Sequence, residues 1–237
     1  MSHTRVDPST PIGRVVADLD RVRRPLAPAD GIAVFVDMYR EVTALVARRV
    51  ADGAFDDPPF IEALDVVFAD YFLAVPRAVA VKRPVPKAWA PLVERRGQRL
   101  FPLQFALAGM NAHINHDLAL AVVRTCEARG LEPDAGSVHA DFVRINEVLA
   151  ELVRPIRQRF LDHDVVEHGA ALTPLADLLT NFSMEQARDA AWATTLTLWA
   201  VRDLPLVPEA TERALAGTVG LVGRQLLTRF DPLGRLG

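Results

Sequence analysis

Between Asn111 and Asp117 the sequence reads Asn-Ala-His-Ile-Asn-His-Asp, five hydrogen-bonding side chains in seven positions of an otherwise apolar stretch. On a helix, His113 and Asp117 stand four residues apart and His116 lies three from His113, so two imidazoles and a carboxylate share one flank. Two chemistries use such a set. His113, His116 and Asp117 could ligate a divalent metal ion. Alternatively, Asp117 could fix the tautomer of a histidine that moves a proton, with His113, His116 and Asp117 as the catalytic group. Asn111 and Asn115, on the other flank with Gln104, would position substrate or stabilise developing negative charge. An unpartnered polar group costs about 1–3 kcal/mol when buried, so these side chains must bind each other, water or a ligand.

The spacing matches no named metal class. It is not His-Glu-x-x-His, and the Glu-x-x-His pairs of di-iron bundles are missing. The sequence has no glycine-rich phosphate loop, no Gly-x-Ser-x-Gly elbow and no cysteine pair. A structural reading of the same residues competes with the chemical one: satisfied internal groups that tie this helix to its neighbours.

Other polar groups lie downstream. His139, Asp141, Arg144 and Asn146 begin the next helix, and a turn over 130–136 would fold it back so that Asp141 or Asn146 approaches the central cluster as further substrate-binding residues. Asp162, His163, Asp164, Glu167 and His168 have ligand-type side chains but read as a solvated loop. Arg188 and Asp189 have the spacing to close one side of a pocket, with a solvated face as the competing reading. Cys126 reads as a core thiol.

The elements that must position these residues are helices. Apolar positions recur at helical spacing over 11–25, from Asp30 to about Gly53, and from Pro58 to about Pro76. The longest helix spans about 102–129, with Gly130 as its C-cap. Another follows over about 138–161, and Thr173-Pro174 opens a short one. Ser183 to Gln186 forms a capping box before Trp192 and Trp199, and the last helix covers roughly 209–230. No alternating run with a tight turn suggests a hairpin. The expectation is an all-α, bundle-like single domain over 11–230, of seven to eight helices around the 102–129 helix. A disordered stretch at 1–10, a proline-rich linker at 81–91 and a tail at 231–237 complete the division.

The chain has 237 residues, 50% hydrophobic and 24% charged, with a net charge of -3. Those proportions exclude disorder and disulfide scaffolds, and the near balance of charge gives no reason to expect nucleic acid as a partner. The most apolar segment, Phe101 to Val123, is interrupted by six polar residues and is read as a buried helix, with no membrane span. One cysteine and no apolar leader point to the cytoplasm.

The segment Gly109-Met110-Asn111-Ala112-His113-Ile114-Asn115-His116-Asp117-Leu118, with Trp89 upstream and His139, Asp141 and Asn146 downstream, resembles a family of uncharacterised proteins common in actinomycetes and classed as a domain of unknown function. The resemblance implies an all-α fold and a shared site around Asn111, His113, Asn115 and Asp117; it implies no substrate. The functional expectation is a small-molecule enzyme, a hydrolase or proton-transfer catalyst with or without a metal. The alternative is a non-catalytic helical protein that binds a ligand or a partner.

Overall fold

Side-chain caps set the helix starts. In the computed structural model, which describes residues 6–168 and 183–229 and leaves out the side chains of 153–157 and 159–168, α1 covers Pro11–Arg23, α2 Gly31–Ala51 and α3 Pro58–Ala80. Thr10, Asp30 and Asp57 each accept a hydrogen bond from a first-turn backbone N–H of the helix that follows. A short α4 (Ala90–Arg95) precedes the central rod, made of α5 (Pro102–Ala112), a π-helical turn at His113–Asp117 and α6 (Leu118–Arg129). Gly130, at φ 64°, closes the rod in the left-handed conformation that glycine adopts without strain. Then come α7 (Val138–His168), α8 (Met184–Val201), capped by the Ser183 hydroxyl, and α9 (Val207–Leu226). Among the described residues there is no strand, and the domain is all-α as expected.

Two readings change. The helix expected to end near Leu161 continues through His168, so the ligand-type residues at 162–168 belong to a helix and not to a loop. The short helix at Thr173, the tail at 231–237 and the first five residues lie outside the described residues.

Two apolar cores meet at the π turn. One holds Val15, Leu19, Phe35, Phe72, Trp89, Phe105, Ala112 and Val219, bringing α1, α2, α3, α5 and α9 together. The other holds Leu45, Phe60, Leu64, Ile114, Leu118, Val122 and Phe142, from α2, α3, α6 and α7. The extra residue of a π turn rotates everything after it relative to everything before. Here it lets α5 face the first core and α6 the second without breaking the rod. The Leu118 N–H bonds the His113 carbonyl, five residues back. Nearly all of the rod from Leu103 to Val122 is buried, so its polar side chains, apart from the partly exposed Asn115, are shielded from bulk water.

The proline-rich stretch is irregular from Val81 to the start of α4, but its end is built into the core: Trp89 is fully buried. Glycine on α9 makes room for it. A Cβ on Gly220 would lie 2.4 Å from the Lys87 carbonyl oxygen, a contact only backbone movement could relieve. Gly220→Ala is therefore expected to destabilise the protein by about 1–3 kcal/mol and to shift tryptophan fluorescence as Trp89 is displaced, both read in one denaturant titration. An unchanged midpoint would mean that this packing carries no weight. Among the described residues, no helix is long and apolar enough to cross a membrane.

Candidate functional site

The π turn brings three N–H donors onto one carboxylate. His113 Nδ1 lies 3.0 Å from Asp117 Oδ2, which also accepts the Trp89 indole N–H at 2.9 Å. His116 Nδ1 lies 2.7 Å from the other oxygen, Oδ1. His113, His116 and Asp117 are each at most 3% exposed. With Asp117 ionised, both imidazoles donate from Nδ1, and each Nε2 is left carrying a lone pair. Both Nε2 atoms are buried without a hydrogen-bond partner.

His113 is enclosed by aromatic rings. Phe68 stacks on it with centroids 3.6 Å apart and planes 4° from parallel. Tyr39 meets it edge-on at 4.5 Å, and Phe35 and Trp89 stand at 5.7 and 6.0 Å. This enclosure pushes the His113 pKa below its ordinary value because burial disfavours the cation; the hydrogen bond and charge of Asp117 pull it back only in part. The imidazole is thus held as a neutral base.

The metal set expected from sequence does not converge on one point. Both Asp117 oxygens face N–H donors, so the carboxylate orients the imidazoles in the way a supporting carboxylate does behind a metal-binding histidine. Among the described residues, no group of three or more His, Cys, Asp and Glu side chains is arranged to hold a metal ion.

The asparagine flank turns to α9. Asn111 Nδ2 donates to the Val219 carbonyl at 3.0 Å, and Asn115, partly exposed, donates to Asn111 Oδ1 at 3.1 Å. Gln104 donates to the carbonyls of Leu226 and Thr228, satisfying acceptors left free at the α9 C-terminus. These contacts dock α9 on the rod.

Asp141 and Asn146 do not reach the cluster. Asp141 is fully buried, and its two oxygens accept the backbone N–H groups of Asp56 and Asp57 at 2.8 and 2.7 Å, fastening α7 to the loop that opens α3. Two unpaired amides at a helix start attract a carboxylate more strongly than any register on α7 could direct it to the rod. Asn146 Oδ1 accepts from Arg188 Nε, and Arg188 Nη2 bonds the Phe142 carbonyl at 2.6 Å with its guanidinium 4.3 Å above the Phe142 ring. Arg188 is buried, which brings its pKa down to about 10, and it joins α8 to α7, whereas Asp189 is exposed. His139 is also exposed, against Trp192 at 4.5 Å. The Cys126 thiol is buried and pushed up to about 11, which makes it unreactive.

Sequence reasoning missed Trp89 as a donor to Asp117 and Asp65 as a buried acid. Trp89 stood in the sequence only as the upstream residue of the family resemblance, because its partner lies 28 positions away. Asp65 left a clearer mark as the one acid among Ile61, Leu64, Phe68 and Phe72 on the buried face of α3. Trp89→Phe keeps the ring and removes the N–H. It is expected to cost about 1.5–3 kcal/mol, as for a hydrogen bond to a charged group, in chemical denaturation. A cost below about 0.5 kcal/mol would mean that Asp117 does not depend on the indole.

No curated protein and no solved structure matches the chain. Residues 12–229, which take in every helix from α1 to α9 and the whole π turn apart from the first residue of α1, match the family described as Family of unknown function (DUF5995). The chain is a member of that family.

Proposed function

We propose that the Asp117 cluster is the acid/base centre of a small-molecule enzyme, a hydrolase or proton-transfer catalyst acting in the cytoplasm, with His113 as the base. One observation carries this reading: Asp117 holds both imidazoles by Nδ1, while both Nε2 atoms are buried with no donor to meet. A folding domain gains nothing from two orphaned acceptors that each cost about 1–3 kcal/mol. A bound molecule presenting an O–H, N–H or acidic C–H would supply the missing donor. His113 Nε2 then accepts a proton from it, and Asp117 stabilises the imidazolium that forms. His116, held on the other oxygen, fixes the carboxylate in place.

This chemistry needs no metal ligand from Asp117, whose role is orientation. Elemental analysis of untagged protein, beside turnover of a panel of small esters, amides and enolisable carbonyl compounds by the parent and by His113→Ala, tests the proposal. Turnover lost in the folded variant, without stoichiometric metal in the parent, is the expected result. Equal turnover in both would overturn it. A parent that turns nothing over, with a variant that only melts earlier, would favour the alternative, a helical ligand-binding protein in which the cluster is structural.

A further inference from the structure

Folding buries large apolar side chains wherever neighbours allow, so a group of them left in solvent on one part of a molecule marks a contact surface. Among the described residues, every exposed large apolar side chain apart from Val81 and Val143 lies on α8, on α9 or in the turn between them. On α9, Leu221 is 60% exposed and Val222 stands beside it. Ala210, Ala214 and Thr218 are exposed on the same face at helical spacing, and from Ala214 to Gly223 the helix carries no charge. The hydroxyls of this face are spent on their own helix. Thr211 donates to the Val207 carbonyl at 2.9 Å and Thr218 to the Ala214 carbonyl at 3.2 Å, so neither proton is offered outward.

Two further features of α9 serve nothing within the chain. Gly217 sits in mid-helix, where glycine is weaker than alanine, yet nothing lies within 4 Å of the place a Cβ would take. Leu206, which precedes the first turn, is 80% exposed and holds φ 65°, a left-handed conformation that costs a leucine energy.

We infer that the outer face of α9 is the contact surface for a second copy of this chain, with the two α9 helices antiparallel about a twofold axis between Gly217 and Thr218. In that register Leu221 lies opposite the partner's Ala214 and beside the partner's Gly217, a knob over a gap, and symmetry repeats the contact. The same axis carries each exposed Leu206 to the C-terminal end of the other α9. Charge agrees with this direction. Glu209 in the first turn and Arg224 in the last lie on one edge of the face, and neither is paired among the described residues. Antiparallel packing sets Glu209 near the partner's Arg224, whereas parallel packing opposes like charges. A lipid surface fits less well, because α9 carries two acids, two arginines and no lysine, and a helix that lies on a membrane is rich in basic residues. The surface is separate from the His113 site: α9 meets the rod by its opposite face, where the Val219 carbonyl accepts from Asn111.

Sedimentation velocity of the full chain at about 50 μM, a concentration that populates even micromolar interfaces, tests the pairing. The parent is expected to sediment as a dimer. Leu221→Glu should raise the dissociation constant about 30-fold or more, as the loss of a central anchor does, with helix content unchanged because the side chain is exposed. Glu209→Arg and Arg224→Glu should each weaken association, and the chain carrying both changes should recover it. A dimer indifferent to Leu221→Glu, or charge reversals that do not compensate, would overturn the inference. So would a monomeric parent, and one that floats with phosphatidylglycerol vesicles would assign the face to lipid instead. If a charge variant fails to fold, the parent and Leu221→Glu decide.

Discussion

Asp117→Asn should cost about 3 kcal/mol or more of stability and abolish any turnover, while leaving the helices in place. The carboxylate serves three donors on two oxygens. An asparagine has the same shape but only one acceptor. If its oxygen faces Trp89 and His113, its amide faces His116 Nδ1, and two N–H groups are then opposed in a dry site; the reverse rotamer opposes the amide to two donors. Removing one partner from a buried charged network in this way costs several kcal/mol, because the groups left behind cannot reach water. His116 can relieve the first clash by moving its proton to Nε2. Denaturant unfolding read with histidine NMR checks both parts: a lower midpoint and a changed His116 tautomer. Unchanged stability with unchanged tautomers would show that the carboxylate organises nothing.

The second large effect is a pH dependence that Asp65 imposes on folding. Its pKa is raised from 3.8 in the open chain to about 7 in the fold, so between those values the folded protein binds the extra proton. Asp65 thus contributes stability that is complete below about pH 3.8 and is lost as pH rises through 7, a change of about 4 kcal/mol at 1.36 kcal/mol per pH unit. His113 has the opposite sign. Its folded pKa lies below the ordinary 6.5, so its contribution is present above that pH and disappears as pH falls beneath it. Asp65→Asn removes only the first effect. The variant should match the parent near pH 4 and exceed it by about 4 kcal/mol at pH 8 in urea unfolding. Parallel stability curves for the two proteins would contradict the burial of an ionisable carboxyl there.

The helices were legible because their signals are local. Asp30 and Ser183 cap where the sequence places caps, and the rod begins at Pro102 and ends at Gly130 as its punctuation demands. The density of polar residues at 111–117 was legible for the same reason. What the sequence could not show is the π turn, which depends on two cores pulling the rod to different faces, and with it the division of labour on Asp117. In an ideal helix His113, His116 and Asp117 look like three ligands of one centre. Tertiary packing makes the carboxylate the hub and the imidazoles its spokes, with Trp89 as a third. Asp141 and Asn146 went astray because the turn over 130–137 leaves the packing of α7 open, and the free amides of 56 and 57 and the Arg188 guanidinium capture them.

Asp117 holds both histidines by Nδ1 and leaves both Nε2 atoms buried without a partner, with His113 kept neutral by its burial. Long-range nitrogen–proton correlation spectra of the imidazoles, recorded at pH 7.5 on the full chain, test it directly. His113 and His116 are each expected to carry a proton on Nδ1, with His113 Nε2 unprotonated. A proton on Nε2 of His113, or a doubly protonated His113 at that pH, would contradict it.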